Sequence, residues 1–84
     1  MFSRRFQRPV IITRHASDRM IARKVTAELV LQIVDTGFVR YSDPIRLWAW
    51  LEVPERDDNL LCLALVLEDA IVVKTVMHHW EVME

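Results

Sequence analysis

Ile45-Arg46-Leu47-Trp48-Ala49-Trp50-Leu51-Glu52-Val53 is the stretch on which the reading of this chain turns. Ile45, Leu47, Ala49, Leu51 and Val53 alternate with Arg46, Trp48, Trp50 and Glu52. A period of two places the first set on one face of a strand and the second on the other, so the stretch predicts a strand with a core face and an amphipathic face. Downstream, the charged run Pro54-Glu55-Arg56-Asp57-Asp58-Asn59 reads as a turn. Leu60 to Leu67 is apolar on both faces, as expected of a central strand covered on both sides. Glu68-Asp69 makes the next turn, and Ile71 to about Met77 reads as the last strand. Its alternation puts Ile71, Val73, Thr75 and Met77 on one face and Val72, Lys74, Val76 and His78 on the other. Phe38 to Tyr41 is a weaker strand candidate.

Upstream of Phe38 the period is helical. Thr13 is placed to cap a helix over Arg14 to Arg23, with Ala16 and Met20 turned inward and Ile21 as a further inward candidate. Thr26 is placed to cap a second helix ending near Asp35, in which Ala27, Val30, Leu31 and Val34 recur at i, i+3, i+4 and i+7. Gly37, the only glycine, then reads as the left-handed residue that ends it. Val10-Ile11-Ile12 fits an entry strand or a hydrophobic plug, and residues 1–9 read as a basic arm with freedom to move. The expected fold is therefore α+β: two N-terminal helices packed on a three- to four-stranded antiparallel sheet, in one domain spanning residues 1–84.

The composition agrees with a packed domain. Hydrophobic residues make up 52% of 84 positions, too many for a disordered chain. No apolar run reaches the roughly 18 residues of a membrane span, and the basic start lacks a signal-peptide core, so a cytoplasmic location without membrane attachment is expected. Cys62 is the only cysteine and sits among leucines, which predicts a buried, inert thiol. The net charge of −1 hides an asymmetry: residues 1–24 carry seven of the eleven Lys and Arg against one acid, and the rest of the chain is acidic. Such a basic patch suits a phosphate backbone, and equally a solvated arm folded over acidic surface.

One glycine excludes a Gly-rich phosphate loop and one cysteine excludes thiolate zinc clusters, so no cofactor is expected. What remains is a stripe. His15, Arg19 and Arg23 are spaced i, i+4, i+8, which lines an imidazole with two guanidinium groups along one helix, a set suited to a phosphodiester. Its bland counterpart is a capped helix with solvated arginines. Lys74 and His78 close the last strand on one predicted face, and His79 points the other way, so His78 and His79 do not form a metal pair. Arg46, Trp48 and Trp50 share a sheet face on which rings stack bases and an arginine holds phosphate; burial against helices or a partner is the alternative.

Thr13-Arg14-His15-Ala16-Ser17-Asp18-Arg19-Met20-Ile21-Ala22-Arg23 resembles the opening of a family of small bacterial proteins classed as a domain of unknown function, whose signature reads Thr-x-His-Ala-x-x-Arg-Met-x-x-Arg. The likeness extends over about residues 11 to 77 and closes on Val73-Lys74-Thr75-Val76. That family looks related to the ribonuclease toxins RelE, ParE and BrnT, and the resemblance implies a RelE/barnase-like fold and a toxin-type, metal-independent endoribonuclease.

Under that reading, His15 or His78 transfers protons, Arg19, Arg23 and Lys74 stabilise phosphate, and Arg46, Trp48 and Trp50 hold the substrate. The partners would be RNA and an antitoxin-like protein, with a homodimer also in view. The alternative is a non-catalytic module that binds a protein partner through its Trp-bearing sheet face. A nucleic-acid-binding regulator without chemistry is the third reading.

Overall fold

A computed structural model of the chain describes residues 1–53 and 60–78. In chain order the elements are β1 (Phe2–Ser3), β2 (Arg8–Ile12), α1 (Arg14–Arg23), α2 (Ala27–Thr36), β3 (Phe38–Tyr41), β4 (Arg46–Glu52), β5 (Leu60–Leu67) and β6 (Ile71–His78). The strands form one mixed sheet in the order β1-β2-β6-β5-β4-β3, curled into a half-barrel. All neighbours are antiparallel except β2 and β6, which run parallel.

This overturns the expectation of two leading helices on a three- to four-stranded antiparallel sheet. The helices lie in the middle of the chain, and a hairpin, β1–β2, precedes them. The cause is the Val10-Ile11-Ile12 run. Val10 pairs with Ile71 and Ile12 with Val73, so Val10 and Ile12 join the row of β6 residues that faces the helices. That pairing spans sixty residues of sequence and leaves no local period. The first nine residues consequently form a hairpin at the sheet edge, with residues 4–7 as its turn: the Ser3 side chain is buried and its Oγ donates to Asp35 Oδ1 at 2.6 Å.

Each helix starts where a threonine can cap it. Thr13 Oγ1 accepts from the amide of Ala16, and Thr26 Oγ1 from that of Leu29, both at 3.1 Å. The first helix ends on Lys24 in the left-handed region (φ 54°), with Lys24 N bonded to Ile21 O and Val25 N to Met20 O. This is the Schellman closure that glycine usually makes, and buried Val25 supplies its apolar contact. The helix α1 packs along β6, whereas α2 covers β4 and β5. Between helices and sheet lie Ala16, Met20, Val30, Ile33 and Val34 on one side and Leu47, Ala49, Leu61, Leu63, Leu65, Ile71, Val73 and Val76 on the other.

Gly37 does not occupy the left-handed position expected of it. Its backbone is extended (φ −69°, ψ 169°), and glycine is required there for space. A Cβ at Gly37 would stand 2.6 Å from Ile33 O and 2.7 Å from Trp50 O, because the last turn of α2 runs directly onto β4.

The alternation expected for the last strand fails after Val73. Leu65 pairs with Val73 but Ala64 pairs with Thr75, so Lys74 is the extra residue of a β-bulge. Beyond it the pairs are Leu63 with Val76, Cys62 with Met77 and Leu61 with His78. His78 therefore pairs in register with Leu61. His79 and Trp80 lie outside the described residues, as does the expected turn at residues 54–59.

Candidate nucleic-acid interface

The face of the sheet turned away from the helices can be read across the strands from its register. One row runs Phe38, Trp50, Cys62, Met77; the next runs Arg40, Trp48, Ala64, Thr75; the third runs Arg46, Val66, Val72, Ile11. None of these residues belongs to the core between helices and sheet. Trp48 and Trp50 are half-buried and lie two residues apart on one strand, about 7 Å in projection. Phe38 stacks on Trp50 with ring centroids 6.0 Å apart and planes at 28°.

At one end of this face is a cavity of about 220 Å³, and Ser42, Arg46, Trp48 and Lys74 line it together with Ala64 and Val66. Lys74 stands at the bulge in β6. A strand of unbroken alternation would have paired Lys74 with Ala64; the bulge moves Thr75 to that place and leaves Lys74 exposed beside it. Two cations and an indole thus line one concavity.

Arg46 is held from the other side. The Asp43 carboxylate accepts from the amides of Ile45 (2.9 Å) and Arg46 (2.7 Å) and pairs with Arg46 Nη1 at 2.9 Å. Ser42 N donates to Arg46 O at 2.9 Å, closing the turn between β3 and β4. Those hydrogen bonds, from the Ile45 amide above all and then from Arg46, hold the Asp43 carboxyl below its usual value of 3.8. The folded pKa is depressed, so the turn's stabilisation is present above pH 3.8 and is lost as pH falls through the folded value. The amides of Ile45 and Arg46 are expected to report this in a two-dimensional NMR titration, with a midpoint below 3.8; a midpoint at or above that value would contradict it.

The helical stripe lies elsewhere. Beyond Val73 no strand among the described residues borders this edge of β6, and α1 takes that place: Thr13 N donates to Val73 O (3.2 Å), Thr13 Oγ1 to Lys74 O (3.3 Å), and Arg23 Nη1 to Val76 O. Arg23 is thereby committed to the edge of the sheet, and His15 and Arg19 are exposed on α1. No residue of α1 lines the cavity. The sequence-predicted residues thus divide into Arg46, Trp48 and Lys74, brought together, and His15, Arg19 and Arg23, which run along the neighbouring sheet edge. Arginine 5 is also committed, with Nη1 donating to Val34 O (3.3 Å) and Gly37 O (2.7 Å) at the end of α2.

Ser42 and Asp43 were not singled out by sequence reasoning, although Ser-Asp-Pro between two strands is a recognisable Asx-type turn. Cys62 is buried on this face and burial pushes its thiol up to about 12, which leaves it without nucleophilic character. No helix among the described residues is long and apolar enough to cross a membrane.

Comparison with known proteins adds one finding. Neither the curated proteins nor the solved structures yield a match to this chain. A family model does match, over residues 12–78, close to the span of 11 to 77 expected from the helix signature. The chain therefore belongs to the DUF4258 family, a domain of unknown function.

Proposed function

We propose that this chain binds an RNA strand on the outer face of its sheet and cleaves it as a toxin-type, metal-independent endoribonuclease. The observation that carries the reading is the cavity in which Arg46, Lys74 and Trp48 meet. Two cations beside an aromatic ring match the parts of a nucleotide, with its charged non-bridging phosphate oxygens and its flat base. In the reaction the ribose 2′-oxygen attacks phosphorus and the bond to the 5′-oxygen breaks, leaving a 2′,3′-cyclic phosphate and a 5′-hydroxyl. Lys74 and Arg46 neutralise the charge growing on the phosphate, and Trp48 stacks the adjoining base. The 2′-hydroxyl proton leaves to solvent water and the 5′-oxygen takes one up from it, while Arg19, outside the cavity on α1, extends the cationic border.

The test is incubation of the purified chain with single-stranded RNA in excess EDTA, with the ends of the products analysed. Cleavage to 2′,3′-cyclic phosphate ends is the expected result. Binding without cleavage would remove the enzyme, and absence of binding would remove the RNA reading altogether. A second reading then takes its place, a protein-interaction module using the same face. It is favoured by the net charge of −1 and by Phe38, which is 67% exposed at the margin of that face.

A further inference from the structure

The edge of β3, which meets no further strand among the described residues, carries a concentration of apolar surface that neither the core nor the cavity uses. Phe38, Val39, Tyr41 and Ile45 are exposed by 67, 37, 48 and 43%, the first three on β3 and Ile45 in the turn just before β4. The other boundaries of the sheet are managed. The strand β1 at the opposite end is two residues long and runs directly into Arg4 and Arg5, and α1 covers the part of β6 that β2 leaves open. The strand β3 has no bulge and no proline, and its pairing with β4 is regular over four residues.

The backbone of β3 is poised to accept another strand. Ser42 N donates to Arg46 O, and antiparallel hydrogen bonding alternates from there, so Arg40 and Phe38 exchange bonds with Trp48 and Trp50. Val39 and Tyr41 consequently turn their N–H and C=O groups away from β4, where they meet no strand among the described residues.

We propose that β3 pairs antiparallel with β3 of a second copy of this chain, about a two-fold axis that sets Val39 opposite Val39 of that copy. The sequence Phe38-Val39-Arg40 is self-complementary in this register. Val39 gives and receives one backbone bond across the axis, and on the outer face Phe38 meets Arg40 of the second copy while Arg40 meets its Phe38. The symmetry makes that ring-to-guanidinium contact twice. A register centred on Arg40 would instead set two guanidinium groups face to face. The dimer joins the two outer sheet faces into one surface.

Sedimentation equilibrium of the full chain over a concentration series tests this. The expected result is a reversible monomer–dimer equilibrium. Val39→Lys sets two ammonium groups opposite each other and raises the dissociation constant by about tenfold or more. Phe38→Glu retains the dimer, because a carboxylate then faces Arg40 of the other copy; simple apolar adhesion would lose it. Both side chains are exposed, and circular dichroism checks that each variant is folded. A chain that remains monomeric at every concentration, a dimer indifferent to Val39→Lys, or a dimer lost in Phe38→Glu would each overturn the proposal.

Discussion

Gly37→Ala is expected to destabilise the fold by about 3 kcal/mol, toward the upper end of what a single added methyl does in a packed site. The new Cβ would sit 2.6 Å from Ile33 O and 2.7 Å from Trp50 O, and both atoms are backbone. Neither can rotate aside. Relief requires the last turn of α2 to part from β4, which strains the bonds from Gly37 N to Ile33 O (2.9 Å) and from Arg5 Nη1 to Gly37 O (2.7 Å). In a domain of this size the loss lowers the melting temperature by roughly 12 to 24 °C. A glycine chosen only for left-handed backbone would cost about 1 kcal/mol on replacement. Thermal unfolding followed by circular dichroism separates the two, and a loss below about 1 kcal/mol would contradict the close-approach account.

Lys74→Ala is expected to reduce RNA turnover by about a hundredfold, the usual result of removing one donor from a developing oxyanion. The fold should survive, because the side chain is exposed and the structural tie at this position, Thr13 Oγ1 to Lys74 O, uses the backbone carbonyl. Lys74→Ala should also flatten the salt dependence of binding by about one phosphate contact. Measurement of kcat and of affinity at several salt concentrations decides. Equal turnover for Lys74→Ala and the unaltered chain would remove Lys74 from the reaction.

The parts of the fold legible in the sequence are those written in local periods. Thr13 and Thr26 mark both helix starts, and the alternation from Arg46 to Glu52 and the apolar run from Leu60 to Leu67 mark two strands. Phe38 to Tyr41, the weakest strand candidate, is a strand because β4 offers it an edge. The illegible parts depend on distant partners. The pairing of Val10 to Ile12 with β6 crosses both helices, so the hairpin and the parallel strands have no local signal. Lys24 ends α1 in a conformation that favours glycine, which no propensity reveals.

The candidate site divides in the same way. Arg46, Trp48 and Trp50 share a face because unbroken alternation says so. The single extra residue at Lys74 shifts the register of every later position of β6, so that His78 pairs with Leu61, while Lys74 lines the cavity of Arg46 and Trp48. A bulge leaves no mark in the residue types on either side of it, so the predicted Lys74–His78 pair could not be corrected without the register.

RNA is proposed to bind the outer sheet face at the cavity of Ser42, Arg46, Trp48 and Lys74. Amide and indole chemical shifts of the folded chain, recorded during titration with a short single-stranded RNA, test it most directly. The expected result is a set of perturbations centred on Ser42, Arg46, Trp48, Ala64 and Lys74. Perturbations confined to α1 and α2, or none at saturating RNA, would contradict it.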